Sequence, residues 1–114
     1  MNYRRAISLA DNARPNTLSD DVKFGYLHEL ETSVAEMMQA ETPVNPFPED
    51  TELLLPPPYD NVYKLYLLAM CDFEMQDMEL YTADYAMFNS KYKDAMAAWR
   101  RTHPTIVNKM GARV

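Results

Sequence analysis

The residues from Tyr59 to His103 contain neither glycine nor proline, so a long helical region can form there without an intrinsic break. Immediately before it, the three prolines at 56–58 lack the N–H groups that a helix needs and hold the chain extended. Asp60 stands at a position where a helix N-cap is favoured. The sequence therefore predicts a helix that begins abruptly near Tyr59.

Apolar and aromatic residues recur mostly three or four positions apart along this region, which is the spacing of one helical face. They are Tyr63, Leu67, Met70, Met78, Tyr81, Tyr85, Phe88, Tyr92, Met96 and Trp99. A straight helix over the whole region would be about 65 Å long at 1.5 Å per residue, which is long for a small domain. We therefore expect a kink or turn between Glu74 and Asp84. The helix should end at or before His103, because Pro104 disfavours helix in the residue that precedes it.

Two shorter helices are predicted before this region. Tyr3, Ile7 and Ala10 share one face of the first helix, and the Arg-Pro-Asn sequence at 14–16 ends it. Ser19 is the expected cap of the second helix, whose first turn holds two aspartates at the positive end of the helix dipole.

The second helix is predicted to run to about Ala40 and to bury a stripe of residues at helical spacing. The stripe is Val22, Tyr26, Leu30, Val34, Met37 and Met38. Gly25 inside this helix is about 1 kcal/mol less favourable than alanine. We interpret it as a point where another helix approaches closely.

A proline-rich loop is predicted over residues 41–58, and a connection of this length is uncommon unless it has a function or a neighbour that orders it. Phe47, Leu53, Leu54 and Leu55 are apolar side chains within this loop. Two interpretations remain open. The loop is either a lid on its own helices or a segment that docks on an adjacent copy of the same protein.

Length and composition favour a single domain, since 114 residues bury one modest core. We assign residues 1–102 to this domain and residues 103–114 to an extended C-terminal arm. No window approaches the roughly 20 apolar residues of a membrane span, and the first residues lack the apolar run of a secretory signal. The single cysteine, Cys71, suits a reducing cytoplasm. The predicted fold is all-α: a small bundle of three to four helices with a long C-terminal helical hairpin or kinked helix.

The net charge of −6 is unevenly distributed along the chain. All 17 acidic residues lie between Asp11 and Asp94, whereas both ends carry basic residues and no acidic ones. An acidic central region does not favour binding in which nucleic acid wraps around the protein, because such binding requires clustered Lys and Arg. It is typical either of a solvated face that maintains solubility or of a surface past which DNA can slide.

No catalytic, metal or cofactor site is predicted, and an enzyme is the least favoured class. His28, His103 and Cys71 have no recognised metal-ligand spacing, and neither glycine stands in a phosphate-binding loop. The aromatic series that ends at Trp99 could stack on bases, but its helical spacing favours a core or a subunit interface. The adjacent Arg100-Arg101 pair is a candidate phosphate contact, although a helix C-terminus also favours such residues.

Several segments of the chain share their pattern with one family of proteins. They are residues 11–16 (DNARPN), 19–23 (SDDVK), 27–31 (LHELE), 53–63, and 81–99 with Phe88-Asn89 inside it. Over most of the chain, from Ile7 to His103, they resemble the small head–tail connector proteins of tailed bacteriophages, also called neck or adaptor proteins. The chain departs from the pattern in lacking a mid-helix glycine and a tryptophan near Gly25.

The resemblance implies a structural virion protein of the neck between capsid and tail, made in the host cytoplasm. Such proteins form a cyclic ring, often of about twelve copies, that binds beneath the portal and contacts tail or stopper proteins. DNA passes through the ring without specific binding, and no membrane or cofactor takes part. The expected contacts to neighbours are Phe47, Leu53, Leu54, Leu55, Trp99, Arg100, Arg101, Ile106 and Val107. The alternative is a small helical regulatory module that binds a host or phage protein through its aromatic stripe.

Overall fold

A computed structural model describes residues 1–41 and 49–103, and this part of the chain forms four helices. They are α1 (Tyr3–Ala13), α2 (Asp20–Met38), α3 (Asn61–Glu74) and α4 (Met78–Thr102). Within the described residues, the only strand-like pairing is an isolated antiparallel bridge between Asn2 and Glu52. The all-α fold class is confirmed.

The first two helices begin at side-chain caps. The Asn2 side chain accepts a hydrogen bond from the Arg5 amide at 2.8 Å and caps α1. Ser19 accepts one from the Val22 amide at 3.3 Å and caps α2, as the sequence predicts. These caps satisfy N–H groups that have no partner inside the first turn of a helix.

The start of α3 is less regular than expected. Asp60 occupies the N-cap position, but its carboxylate makes no capping hydrogen bond. It lies 3.6 Å from the N-terminal amine of Met1 instead. The N-terminal end of α1 and the start of α3 are thereby held side by side.

The break in the long helical region falls at residues 75–77, inside the interval expected from the sequence. Gln76 has a positive φ of 60°, and the Asp77 carboxylate accepts a hydrogen bond from the Leu80 amide at the start of α4. The rings of Phe73 and Tyr81 lie 5.5 Å apart beside this turn, and further contacts continue between the two helices away from it. α3 and α4 therefore run antiparallel as a hairpin.

The segment that follows residue 48 lies against the first turn of α1. The carbonyl oxygen of Thr51 accepts a hydrogen bond from the Tyr3 amide at 3.2 Å, and that of Glu49 accepts one from the Arg4 amide at 3.0 Å. These carbonyls satisfy amides that the helix itself leaves without partners. This part of the proline-rich segment is thus fastened to the body of its own chain.

The core forms where α1, α2 and α4 pack around α3. Its largest fully buried apolar and aromatic side chains come from α1, α2, α3 and the segment before α3. They are Tyr3, Ile7, Leu27, Val34, Leu55, Val62, Tyr63 and Leu67. Phe88, Ala95 and Met96 are the contributions of α4 to the same cluster. The first two turns of α4 add no buried residue.

The predicted inner face of α2 is correct at Leu30 and Val34, which are buried, but two expectations near its start are wrong. Val22 is 40% exposed, while Lys23 and Leu27 are buried, so the inward face is rotated there from the predicted stripe. The register shifts because the Lys23 ammonium reaches Asp11 of α1 at 2.9 Å, which allows a charged residue on the inner face. Gly25 faces open space, since an added Cβ would meet nothing within 4 Å, and it does not mark a close helix approach.

Candidate interaction surfaces

A buried carboxylate fastens the leucine segment to the helices. Glu31 of α2 is 1% exposed, and its Oε2 accepts a hydrogen bond from the Leu54 amide at 2.7 Å. Its Oε1 accepts one from the Tyr63 hydroxyl at 2.7 Å, and that hydroxyl accepts one from the Leu55 amide at 3.0 Å. Burial raises the pKa of the Glu31 carboxyl, although the Tyr63 and Leu54 hydrogen bonds oppose this rise.

A second polar cluster joins three helices at one point. Arg14, just beyond α1, donates hydrogen bonds of 2.5 Å to Asp72 of α3 and to Asp84 of α4. Burial, aided by a hydrogen bond with Asp84, raises the pKa of Asp72 to about 6. Hydrogen bonds from Asp72 and Arg14 outweigh burial and lower the pKa of Asp84. The arrangement is that of a structural ion-pair cluster that is covered on most sides.

The described residues contain neither a metal-binding cluster nor a reactive cysteine. Across residues 1–41 and 49–103, no three His, Cys, Asp or Glu side chains are arranged to hold a metal ion. Cys71 is buried, and burial raises the pKa of its thiol to about 11, which disfavours the reactive thiolate. Among the same residues, no helix has the length and apolar character needed to cross a membrane.

The turn of the α3–α4 hairpin exposes large apolar side chains. Met75 and Met78 are 52% and 51% exposed, and Phe73 and Leu80 are also exposed beside them. We call these four residues the hairpin tip. Scattered single apolar residues are normal on a protein surface, but several at one turn indicate a contact surface.

Aromatic rings continue from the tip along the hairpin. Neighbouring rings lie 5.5–5.6 Å apart from Phe73 through Tyr81, Tyr85 and Phe88 to Tyr92. Phe88 is buried, whereas Tyr85 is partly open to solvent. A shallow cavity of about 280 Å³ lies beside this series, lined in part by Glu29, Tyr66 and Asn89. The predicted aromatic stripe is therefore buried in the core around Phe88 and exposed on the surface near the hairpin tip.

An apolar groove of about 450 Å³ lies at the other end of the hairpin. Its walls are Met38, Leu54, Leu55, Pro56, Tyr59, Ala95, Ala98, Trp99, Arg101, Thr102 and His103. The indole of Trp99 and the imidazole of His103 stack with their centroids 4.2 Å apart. The exposed guanidinium of Arg101 gives the mouth of this groove a positive charge. We call it the C-terminal groove.

The structure brings together four of the residues that the sequence analysis assigned to interfaces. Leu54, Leu55, Trp99 and Arg101 all line the C-terminal groove. Arg100 lies next to it and donates a weak hydrogen bond to the Met37 sulfur at 3.8 Å.

The remaining predicted contact residues lie elsewhere. Leu53 is buried in the core of its own chain. Leu55, although it borders the groove, is also only 2% exposed, and the burial of both side chains matches the lid interpretation. Phe47, Ile106 and Val107 lie outside the described residues, as does the predicted C-terminal arm after His103.

Comparison of the chain with protein-family models, with curated proteins and with solved structures finds no match. The resemblance to connector proteins is therefore a hypothesis from sequence pattern.

Proposed function

We propose that this protein is a structural head–tail connector that assembles with copies of itself into a ring beneath a phage portal. The observation that carries the proposal is the hairpin tip, where Phe73, Met75, Met78 and Leu80 remain exposed although the chain has a complete core elsewhere. Exposure of these side chains does not stabilise a monomer. Association would remove them from water, which contributes about 25 cal/mol of favourable free energy per Å² of apolar surface buried.

The charge of the surface supports the same proposal. Most of the 17 acidic residues are exposed in the described chain, and only a few carboxylates are enclosed, among them Glu31 and Asp72. An acidic lining repels the phosphates of a duplex and releases no counterions on contact. DNA could therefore pass such a ring without being held.

The chemistry of the interior supports a structural role. Its polar clusters, around Glu31 and around Arg14, are engaged in joining segments of the chain to one another. The side chains that form these clusters, those of Glu31, Tyr63, Arg14, Asp72 and Asp84, do not line either cavity described above. They account for the cohesion of the fold, while the exposed apolar surfaces remain available for partners.

The test is the native mass and the image of the purified protein, alone and with a portal protein. A closed ring by native mass spectrometry and negative-stain microscopy, together with co-migration with the portal, is the expected result. The proposal would be contradicted if the protein stays monomeric at every concentration and does not co-migrate with the portal.

A pair of tip substitutions sharpens this test. Met75→Gln with Met78→Gln should weaken self-association while leaving the melting temperature nearly unchanged, because both side chains are half exposed. Met87→Gln, at an equally exposed methionine further along α4, is the matched control.

A second candidate is a small regulatory module that binds another protein through the aromatic series. The cavity beside Tyr66, Tyr85 and Tyr92 favours it, because tyrosine supplies apolar area together with a hydroxyl that stays solvated. In that case Tyr85→Ala should abolish binding of the partner, and the protein should remain monomeric.

A further inference from the structure

The hairpin tip and the C-terminal groove lie at opposite ends of α4. The hairpin tip adjoins Met78, the first residue of this helix, and the C-terminal groove is built around Trp99 near its end. At 1.5 Å per residue these positions are separated by about 32 Å along the helix axis. The chain therefore cannot place its own tip in its own groove.

The charges around the two surfaces have opposite signs. Glu74, Asp77 and Glu79 surround the tip and are exposed. Arg101 and the neighbouring Arg100 stand at the groove, and neither makes an ion pair with any described residue. An acidic, apolar projection and a basic, apolar recess are complementary in both charge and polarity.

We propose that the hairpin tip of one copy inserts into the C-terminal groove of the next copy of this chain. The inference rests on the proposed function and names the contact by which the ring would close. Met75, Met78 and Phe73 lie against the groove walls, and the tip carboxylates face Arg101. The groove volume of about 450 Å³ is in the range of pockets that enclose apolar groups.

The geometry of this contact determines the kind of assembly. Tip and groove are different surfaces, so each copy offers one of each and the contact is head-to-tail. Contacts of this type generate a ring when the rotation between subunits closes, and a filament when it does not. A two-fold dimer would instead need the same surface on both partners.

Charge reversal tests the pairing. Arg101→Glu alone and Glu79→Lys alone should each weaken self-association by about tenfold or more, because like charges then face each other. The two substitutions in one chain, or an equal mixture of the two single variants, should restore it. Lys93→Glu makes the same charge change as Arg101→Glu at an exposed position in the middle of α4, and should have little effect. Failure of both the double variant and the mixture to recover association, with folding intact by circular dichroism, would overturn the pairing.

Disulfide trapping tests the contact directly, because the chain's single cysteine, Cys71, is buried. A mixture of Met78→Cys and Thr102→Cys variants should form a covalent heterodimer, while Ser90→Cys mixed with either should not. A homodimer of Met78→Cys alone would mean tip-to-tip association and would overturn the proposal. An intrachain disulfide in a double variant, Leu54→Cys with Ile106→Cys, would mean that residues after 103 of the same chain occupy the groove. This outcome would also overturn the proposal.

The proposed function and this contact fail in different ways. If the unmodified protein forms rings but the Met78→Cys and Thr102→Cys mixture yields no heterodimer, the ring is held by other surfaces and only the tip–groove contact is wrong. If the unmodified protein stays monomeric with or without the portal, both are wrong.

Discussion

The hydroxyl of Tyr63 donates a hydrogen bond of 2.7 Å to the Glu31 carboxylate while accepting one of 3.0 Å from the Leu55 amide. All three groups are enclosed by the core. One side chain of α3 thereby joins α2 to the segment that carries the leucines. The position of Leu54 at the wall of the C-terminal groove depends on this relay.

Tyr63→Phe should lower the free energy of unfolding by about 1–3 kcal/mol, because it leaves a buried amide and a buried carboxylate oxygen without a partner. Urea unfolding followed by circular dichroism measures the change. Tyr92→Phe is the control, since the Tyr92 ring is only partly buried and its hydroxyl is not part of this relay. Equal losses in both variants would show that the relay contributes nothing specific.

Stability should fall as the pH rises from about 4 to about 6. Because burial raises the pKa of Asp72 to about 6, the folded state holds this proton more tightly than the unfolded state. The resulting stabilisation is complete below the ordinary aspartate pKa and is lost as the pH rises through 6. The raised pKa of Glu31 acts in the same direction, whereas the lowered pKa of Asp84 affects stability only in more acidic solution. Urea midpoints across this range measure the effect.

Asp72→Asn should flatten that pH dependence, because the titrating group is removed and an amide of similar shape is left beside Arg14. Glu29→Gln, at an exposed position on α2, should leave the profile unchanged. A pH profile that falls as steeply in Asp72→Asn as in the unmodified protein would assign the titration to another carboxyl, such as Glu31.

Gly25→Ala should raise the free energy of unfolding by about 1 kcal/mol. The position is inside α2, and an added methyl group meets no atom within 4 Å, so only the higher helix propensity of alanine acts. Thermal unfolding measures the gain. A loss of stability would mean that the glycine is required for a contact in the assembly or for another state of the chain.

Leu54 and Leu55 should respond differently to substitution. Leu55→Ala should cost about 2–5 kcal/mol of stability, because its side chain is buried in the core. Leu54→Ser should have a smaller effect on stability and a larger one on association, since Leu54 is only partly buried and lines the groove. Parallel measurement of the melting temperature and the native mass separates the two effects.

The purified protein should bind double-stranded DNA only weakly at physiological salt, because its exposed carboxylates repel phosphate. Fluorescence anisotropy with a labelled duplex over a series of salt concentrations measures this. Tight binding that weakens steeply with salt would contradict the proposal that acidic residues line a DNA channel. It would indicate instead that DNA binds to the protein through Arg100 and Arg101.

Local chemistry made much of the helical pattern predictable. The Ser19 cap, the end of the first helix near Arg14 and the end of α4 before Pro104 all depend on residues adjacent in sequence. The inner face of α2 was not predictable in this way. Lys23 is buried because of Asp11 on another helix, and residues 22, 26 and 30 fit the helical period as well as 23, 27 and 30 do.

The surfaces were predictable only in part. Glu31 lies among apolar residues of α2, which is a signal of a buried carboxylate, but its partners are distant in sequence and could not be named. Met78 has the same helical spacing as the buried Met96, and only the tertiary packing decides that one is exposed and the other enclosed. The grouping of Leu54 with Trp99 likewise depends on how the segment before α3 meets the end of α4.

The stack of Trp99 on His103 gives the molecule an intrinsic optical probe. Trp99 is the only tryptophan in the chain, so all indole fluorescence originates at one wall of the C-terminal groove. Whatever enters the groove displaces water from this ring and shifts its emission to shorter wavelength. Occupancy of the groove can therefore be followed in solution with the unlabelled protein.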